Sequence, residues 1–164
     1  MKPTHKLNAN VLRNYRGVAS MELAVGAILM ITLSAIAMDI ILLNFAMCLN
    51  DAVCRDAARS AAQTSTKAAA ILAATAQLKL HSTDGVFVSQ PVLTSTSTPD
   101  FDYNDYGGNP PANISPYVTV TTSVTVRVPA PIVFFGARFY AKNGTLVMKR
   151  TYTFPIIKEQ YYGG

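Results

Sequence analysis

The chain has 164 residues, half of them apolar and only 14% charged, which excludes intrinsic disorder and leaves room for one domain with an appendage. Two cysteines, two histidines and no tryptophan exclude a disulfide-built fold and a cysteine-only zinc site, and almost exclude a His-dependent enzyme. The net charge of +5 is unevenly placed: Lys2, Lys6, Arg13 and Arg16 give the first 21 residues +4, leaving ten basic against nine acidic side chains beyond them. A nearly neutral body carries no electrostatic footprint for nucleic acid, and none is expected as a partner.

The basic tail, residues 1–17, reads as a cytoplasmic leader. It runs into Leu23–Met38, sixteen residues without a charge; Asp39 interrupts, and Ile40–Met47 continues the apolar run. About 20 apolar helical residues cross a hydrocarbon core, so 18–47 is predicted to be a transmembrane helix. Starting near Val18, such a helix rises roughly 32 Å by Asp39, which puts that carboxylate near the far membrane edge, where its cost is lowest. Basic residues stay on the cytoplasmic side, so everything after Asp39 is expected to be exported. Ala35-Ile36-Ala37 is also an A-x-A sequence at the end of an apolar run, the form a secretory signal peptidase uses. Cleavage after Ala37 would release a soluble exported binding protein. An unprocessed single-pass scaffold is the remaining alternative.

At the junction, Gly17 precedes Glu22 by five residues, where charge gives way to apolar sequence. Glycine suits an extended, accessible backbone that a peptidase can hold. Glu22, one turn inside a membrane helix, is costly there and asks for a purpose. Cleavage after Gly17 would give Val18 an α-amino group, normally protonated at neutral pH, four residues from Glu22 on the same helix. Between neighbouring helices, Glu22 of one copy could pair with the amine of another and fix an axial register.

Gly17 followed by a run ending in Glu22 looks like the processing site of type IV prepilins. Ordinary type IV pilins begin F-T-L-x-E, whereas this chain reads Val18-Ala19-Ser20-Met21-Glu22. Arg16–Ala24, with Asp39 late in the apolar run and the Ala/Arg stretch Ala52–Ala62, more closely resembles the TadE/TadG-like pseudopilins of tight-adherence (Tad/Flp) pilus systems. The resemblance is specific over residues 16–62 and general in layout beyond. It implies a pilin-like α+β fold, a minor pilin or pseudopilin processed after Gly17, and participation in assembling a pilus for adherence or secretion. The implied location is the bacterial inner membrane, with an exported head. The implied partners are a prepilin peptidase, other pilins and an inner-membrane platform with its assembly ATPase. In that reading the chain is a substrate of an enzyme rather than an enzyme, with no catalytic residue, cofactor or metal.

Residues 48–80 are rich in good helix formers and are predicted to be an exported helix, interrupted at Thr64-Ser65-Thr66. Arg55 and Arg59 lie one turn apart just beyond the membrane face. They are read either as a solvated face paired with nearby Asp51 and Asp56, or as a contact with anionic headgroups or a neighbouring subunit. Cys48 and Cys54, six residues apart on a helix, are separated by roughly 9 Å of rise and are expected to be free thiols.

The remainder, 81–164, is predicted to be a mainly β head with a small antiparallel sheet needing cover from helix. Tyr117–Val128 alternates strictly, with Val118, Val120, Thr122, Val124, Val126 and Val128 on one face. Thr145–Pro155 follows the turn Asn143-Gly144 and puts Leu146, Met148, Tyr152 and Phe154 on one face, with Arg150 breaking the pattern. A weaker strand is expected over Val86–Leu93, and a packed connector over Ile132–Gly136. Residues 94–116 read as a loop, in which Asp100, Asp102 and Asn104 imitate calcium-ligand spacing. Asp105 stands where that motif requires glycine and Pro111 where it requires glutamate.

Overall fold

The computed structural model describes residues 9–128, 133–134, 137–138 and 144–157. It is an α+β structure: a long N-terminal apolar helix followed by a small antiparallel sheet. Helix α1 spans Ala9–Ala62 and α2 spans Lys67–Leu80. Two compact units divide the chain between Met38 and Asp39.

The described residues of the first unit all lie in α1. Val18, Met21, Leu23, Val25, Ile28, Leu29, Met30, Ile31, Leu33 and Met38 are all exposed. The best 18-residue window has a mean hydropathy of 2.3 and is 6% buried, whereas a core helix of a soluble protein would be mostly covered. Full burial of such side chains is worth about 1.5–3 kcal/mol each, so lipid is the solvent this surface suits. Thr32 and Ser34 donate their hydroxyls to the carbonyls of Ile28 and Met30, both at 2.8 Å, leaving those donors satisfied inside the helix.

The second unit is a sheet covered by helix. Strand β3 (Tyr117–Arg127) is its centre, paired along all eleven residues with β6 (Thr145–Pro155) in antiparallel register, Thr122 opposite Arg150. Its other edge is tracked by one interrupted segment. Val88 bridges Val126, β1 (Val92–Leu93) pairs at Ser123 and Thr122, and β2 (Phe101–Asn104) pairs from Val120 to Tyr117. The predicted strand over Val86–Leu93 is therefore reduced to a bridge and two residues. Asp84 takes the Phe87 and Val88 amides onto its carboxylate, and Pro91 has no amide to give.

The predicted loop 94–116 needs correcting too, since β2 lies inside it and carries the buried Phe101. The Thr121 amide donates to the Asp100 carbonyl at 2.8 Å and helps hold this segment on β3. Of the apolar connector, Val133–Phe134 (β4) pairs with Ala137–Arg138 (β5), while Ile132, Phe135 and Gly136 lie outside the described residues. Asn143 of the predicted turn lies outside them as well. Gly144 adopts φ +73°, which favours glycine, and its carbonyl accepts from the Val128 amide at 2.8 Å.

The valines predicted to face inward do so: Val118, Val120, Val124, Val126 and Val128 are buried. Against them packs the end of α1 through Ala46, Asn50, Val53, Cys54, Ala57 and Ala61, spaced three or four residues apart. Ala57, Ala58, Ala61 and Ala62 also join Ala70, Ala74 and Leu78 of α2 in one core with Phe101, Val118, Val120 and Ile156. Small side chains there let the two helices and the sheet share a core. Helix α2 begins where the Thr66 hydroxyl accepts from the Ala69 amide at 3.3 Å, an N-cap.

Candidate functional site

The residues expected at a processing junction lie on α1. Gly17 has helical backbone, which corrects the extended conformation expected there. The helix continues on both sides, and one glycine costs only about 1 kcal/mol. A peptidase acting at Gly17 must therefore unwind at least a turn. Val18 is 57% exposed and Glu22 is also exposed. Four residues apart, they share a helix face.

Asp39 was expected at the membrane edge, but its side chain is 3% exposed. A buried carboxylate requires a polar or charged partner, and Asp39 is not without one.

Beyond it, Asn50, Asp51, Cys54 and Arg55 fasten the helix to the sheet. Asn50, fully buried, donates from Nδ2 to the Met148 carbonyl at 3.1 Å and accepts from the Thr122 hydroxyl at 2.7 Å. It thereby ties α1 to both β6 and β3. Cys54, also buried, has its sulfur 3.3 Å from the Val120 carbonyl and 3.2 Å from that of Arg150. At the rim, Asp51 accepts from the Tyr152 hydroxyl at 2.9 Å and from Arg55 at 3.0 Å, and Arg150 Nε lies 3.8 Å away. The Arg55 guanidinium stands 5.9 Å over the Tyr152 ring. Arg55 is thus the partner of a local aspartate. Arg59 borders a separate polar cleft of about 170 Å³ with Asp56, Ser60, Gln63 and Gln77.

The Asp51–Arg55 pair was read from the sequence, but the strand half of this rim cluster was not, because Tyr152 and Arg150 are about a hundred positions from Asp51. The one signal for that half was Arg150 on an otherwise apolar strand face.

The Asp51 carboxyl is held below the usual carboxylate range, chiefly by the Tyr152 hydrogen bond and then by Arg55 and Arg150. The same bond pushes the Tyr152 phenol up. A depressed folded pKa contributes stability above the unfolded value, near 3.9, that is lost as pH falls through the folded value. Thermal melts from pH 6 to pH 2.5 should show a shallower acid decline for Asp51→Asn than for the wild type. The screened, partly exposed position keeps the difference small.

Burial raises the Cys54 thiol above its ordinary value, whereas Cys48 is exposed; both are free. The native protein should take up one equivalent of maleimide, at Cys48, and a second only in denaturant. Mass spectrometry of labelled peptides checks this, and modification of Cys54 without unfolding would contradict the packing described.

The calcium-like spacing falls on β2 and its flanks rather than on a loop wrapped around an ion. Asp102 accepts from the Tyr117 hydroxyl at 3.0 Å, and Asn104 from the Tyr106 amide at 3.3 Å. Among the described residues, no three His, Cys, Asp or Glu side chains come together to hold a metal. Comparison with protein-family models, curated proteins and solved structures gives no match.

Proposed function

We propose that the chain is a membrane-stored minor pilin or pseudopilin of the TadE/TadG-like kind, clipped after Gly17 by a prepilin peptidase. Its helix then packs with those of other pilins, driven by an inner-membrane platform and its ATPase. The observation that carries this reading is the exposed apolar surface of α1, which begins directly at the Gly17/Glu22 junction and follows a basic tail. Such a surface is stable in lipid, and equally against identical helices in a fibre. In this reading the tail is cytoplasmic, the head is exported, and the chain is a substrate rather than a catalyst.

The signal-peptide alternative fits the structure less well. Cleavage after Ala37 would leave Ile40, Ile41, Phe45 and Met47, all exposed in the second unit, facing water on a soluble product. N-terminal sequencing of the mature protein from cells with an active prepilin peptidase tests the proposal. Val-Ala-Ser-Met-Glu is expected; an intact Met1, or a start at Met38, overturns it.

A further inference from the structure

Strand β6 is paired along one side only. On β3, the Thr121 and Arg127 amides and the Thr121 and Thr125 carbonyls bond to the interrupted segment on its far edge. The even-numbered residues of β3 therefore carry the bonds to β6, where their register partners are Leu146, Met148, Arg150, Tyr152 and Phe154. The odd-numbered residues of β6 turn their own N–H and C=O groups the other way, to the outer edge. Among the described residues no strand pairs with that edge. Val147, Lys149, Thr151 and Thr153 lie exposed along it, a run of roughly 20 Å of backbone donors and acceptors open to a further strand.

The helix holds this edge in place. Asn50 bonds the Met148 carbonyl, the Cys54 sulfur lies against the Arg150 carbonyl, and Asp51 accepts from the Tyr152 hydroxyl. A strand fixed this way loses little further freedom when another strand is added to it. Arg150 is on the helix face, 3.8 Å from Asp51. Lys149 is on the opposite face, across from Ser123, and among the described residues no carboxylate pairs with it. We infer that the outer edge of β6 accepts an extended segment of another protein, added as a further strand, with an acidic side chain opposite Lys149. A second copy of this chain fits poorly. Full overlap of two β6 edges sets Arg150 against Arg150, and a shift of the centre by one residue sets Lys149 against Lys149. Along the strands, Ala46 of α1 shares a core group with Val124 and Val126, and Val53 and Ala57 share another with Val118 and Val120. Antiparallel pairing of two edges would therefore point two such α1 segments in opposite directions, the wrong sense for two chains anchored in one bilayer. That last argument rests on the anchored reading above; the open edge does not.

The test titrates fluorescent peptides of alternating threonine and valine onto the detergent-solubilised full chain and reads their anisotropy. One peptide carries glutamate at its centre, one carries lysine there, and a third is the glutamate peptide with its amides N-methylated to block strand pairing. Wild type should bind the glutamate peptide about fivefold tighter than the lysine peptide, and the N-methylated peptide not at all. Lys149→Glu should reverse the order of the first two; Lys149 is exposed, so the change leaves the core intact. Thr151→Pro removes one outward N–H while keeping the bonds to β3, and should weaken the glutamate peptide roughly tenfold. Binding of no peptide, binding that survives N-methylation, or an order that Lys149→Glu leaves unchanged overturns the inference. So does a wild-type chain that elutes as a dimer and becomes monomeric with Thr151→Pro, since a second copy would then hold the edge. The titration needs neither cleavage nor fibre assembly, so its failure leaves the pilin reading standing.

Discussion

In cells carrying the pilus machinery, Glu22→Gln should reach the membrane at wild-type abundance and enter fibres at least roughly tenfold less. Glutamine keeps the size and much of the hydrogen bonding of glutamate, so the substitution isolates the charge. After cleavage the Val18 amine is the natural cation for that charge, either four residues away on the same helix or on a neighbouring helix. A pair of unit charges about 4 Å apart at an effective dielectric of 20 is worth about 4 kcal/mol, and about 1.4 kcal/mol already amounts to tenfold. The measurement is an immunoblot of sheared fibres against membranes, with N-terminal sequencing to show that cleavage still occurs. Equal incorporation of the variant would remove the pairing from the account and leave an anchored head of unassigned purpose.

Phe101→Ala should lower the melting temperature of the detergent-solubilised chain by roughly 10 °C or more. Phe101 is fully buried, pairs with Val120 in register, and shares its core with Val53, Ala57, Ala70 and Ile156. Truncating a buried phenylalanine costs about 3–5 kcal/mol, and a domain of this size loses a few degrees per kcal/mol. Ile114→Ala, in the same stretch but at a residue 49% exposed, should shift stability by no more than about 0.5 kcal/mol. Circular dichroism melts compare the two. Similar small shifts for both would mean that β2 does not hold the core.

Phe101 also shows where sequence reading stopped. Asp100-Phe101-Asp102-Tyr103-Asn104 does alternate, but over only five residues and through turn-forming Asp and Asn, so it reads as loop. Their polar groups are met by Thr121, Tyr117 and Tyr106, and only Thr121 and Tyr117 belong to the distant partner strand. Strand β3 was legible because it is central and one face is covered along its whole length, which forces the alternation. Thr121, on the face expected to be wet, is nonetheless 5% exposed, and its hydroxyl is 2.9 Å from that of Thr151. The apolar helix was legible because a helix long and apolar enough to cross a membrane needs a long, nearly uncharged run, which composition alone reveals. The roles of Asn50 and Cys54, and the Asp51–Tyr152 bond, were not, since they depend on strand carbonyls and hydroxyls that only the folded chain brings near.

Under the proposed role in a fibre, the polar seam where the helix meets the sheet has a mechanical meaning. Drawing the helix off the sheet must rupture Asn50 from two strands while Cys54 and Asp51 let go beside it, so the load is shared by several bonds at once. Bonds strained together fail at a higher force than the same bonds peeled in turn, and a head fastened this way resists being stripped from its stalk under tension.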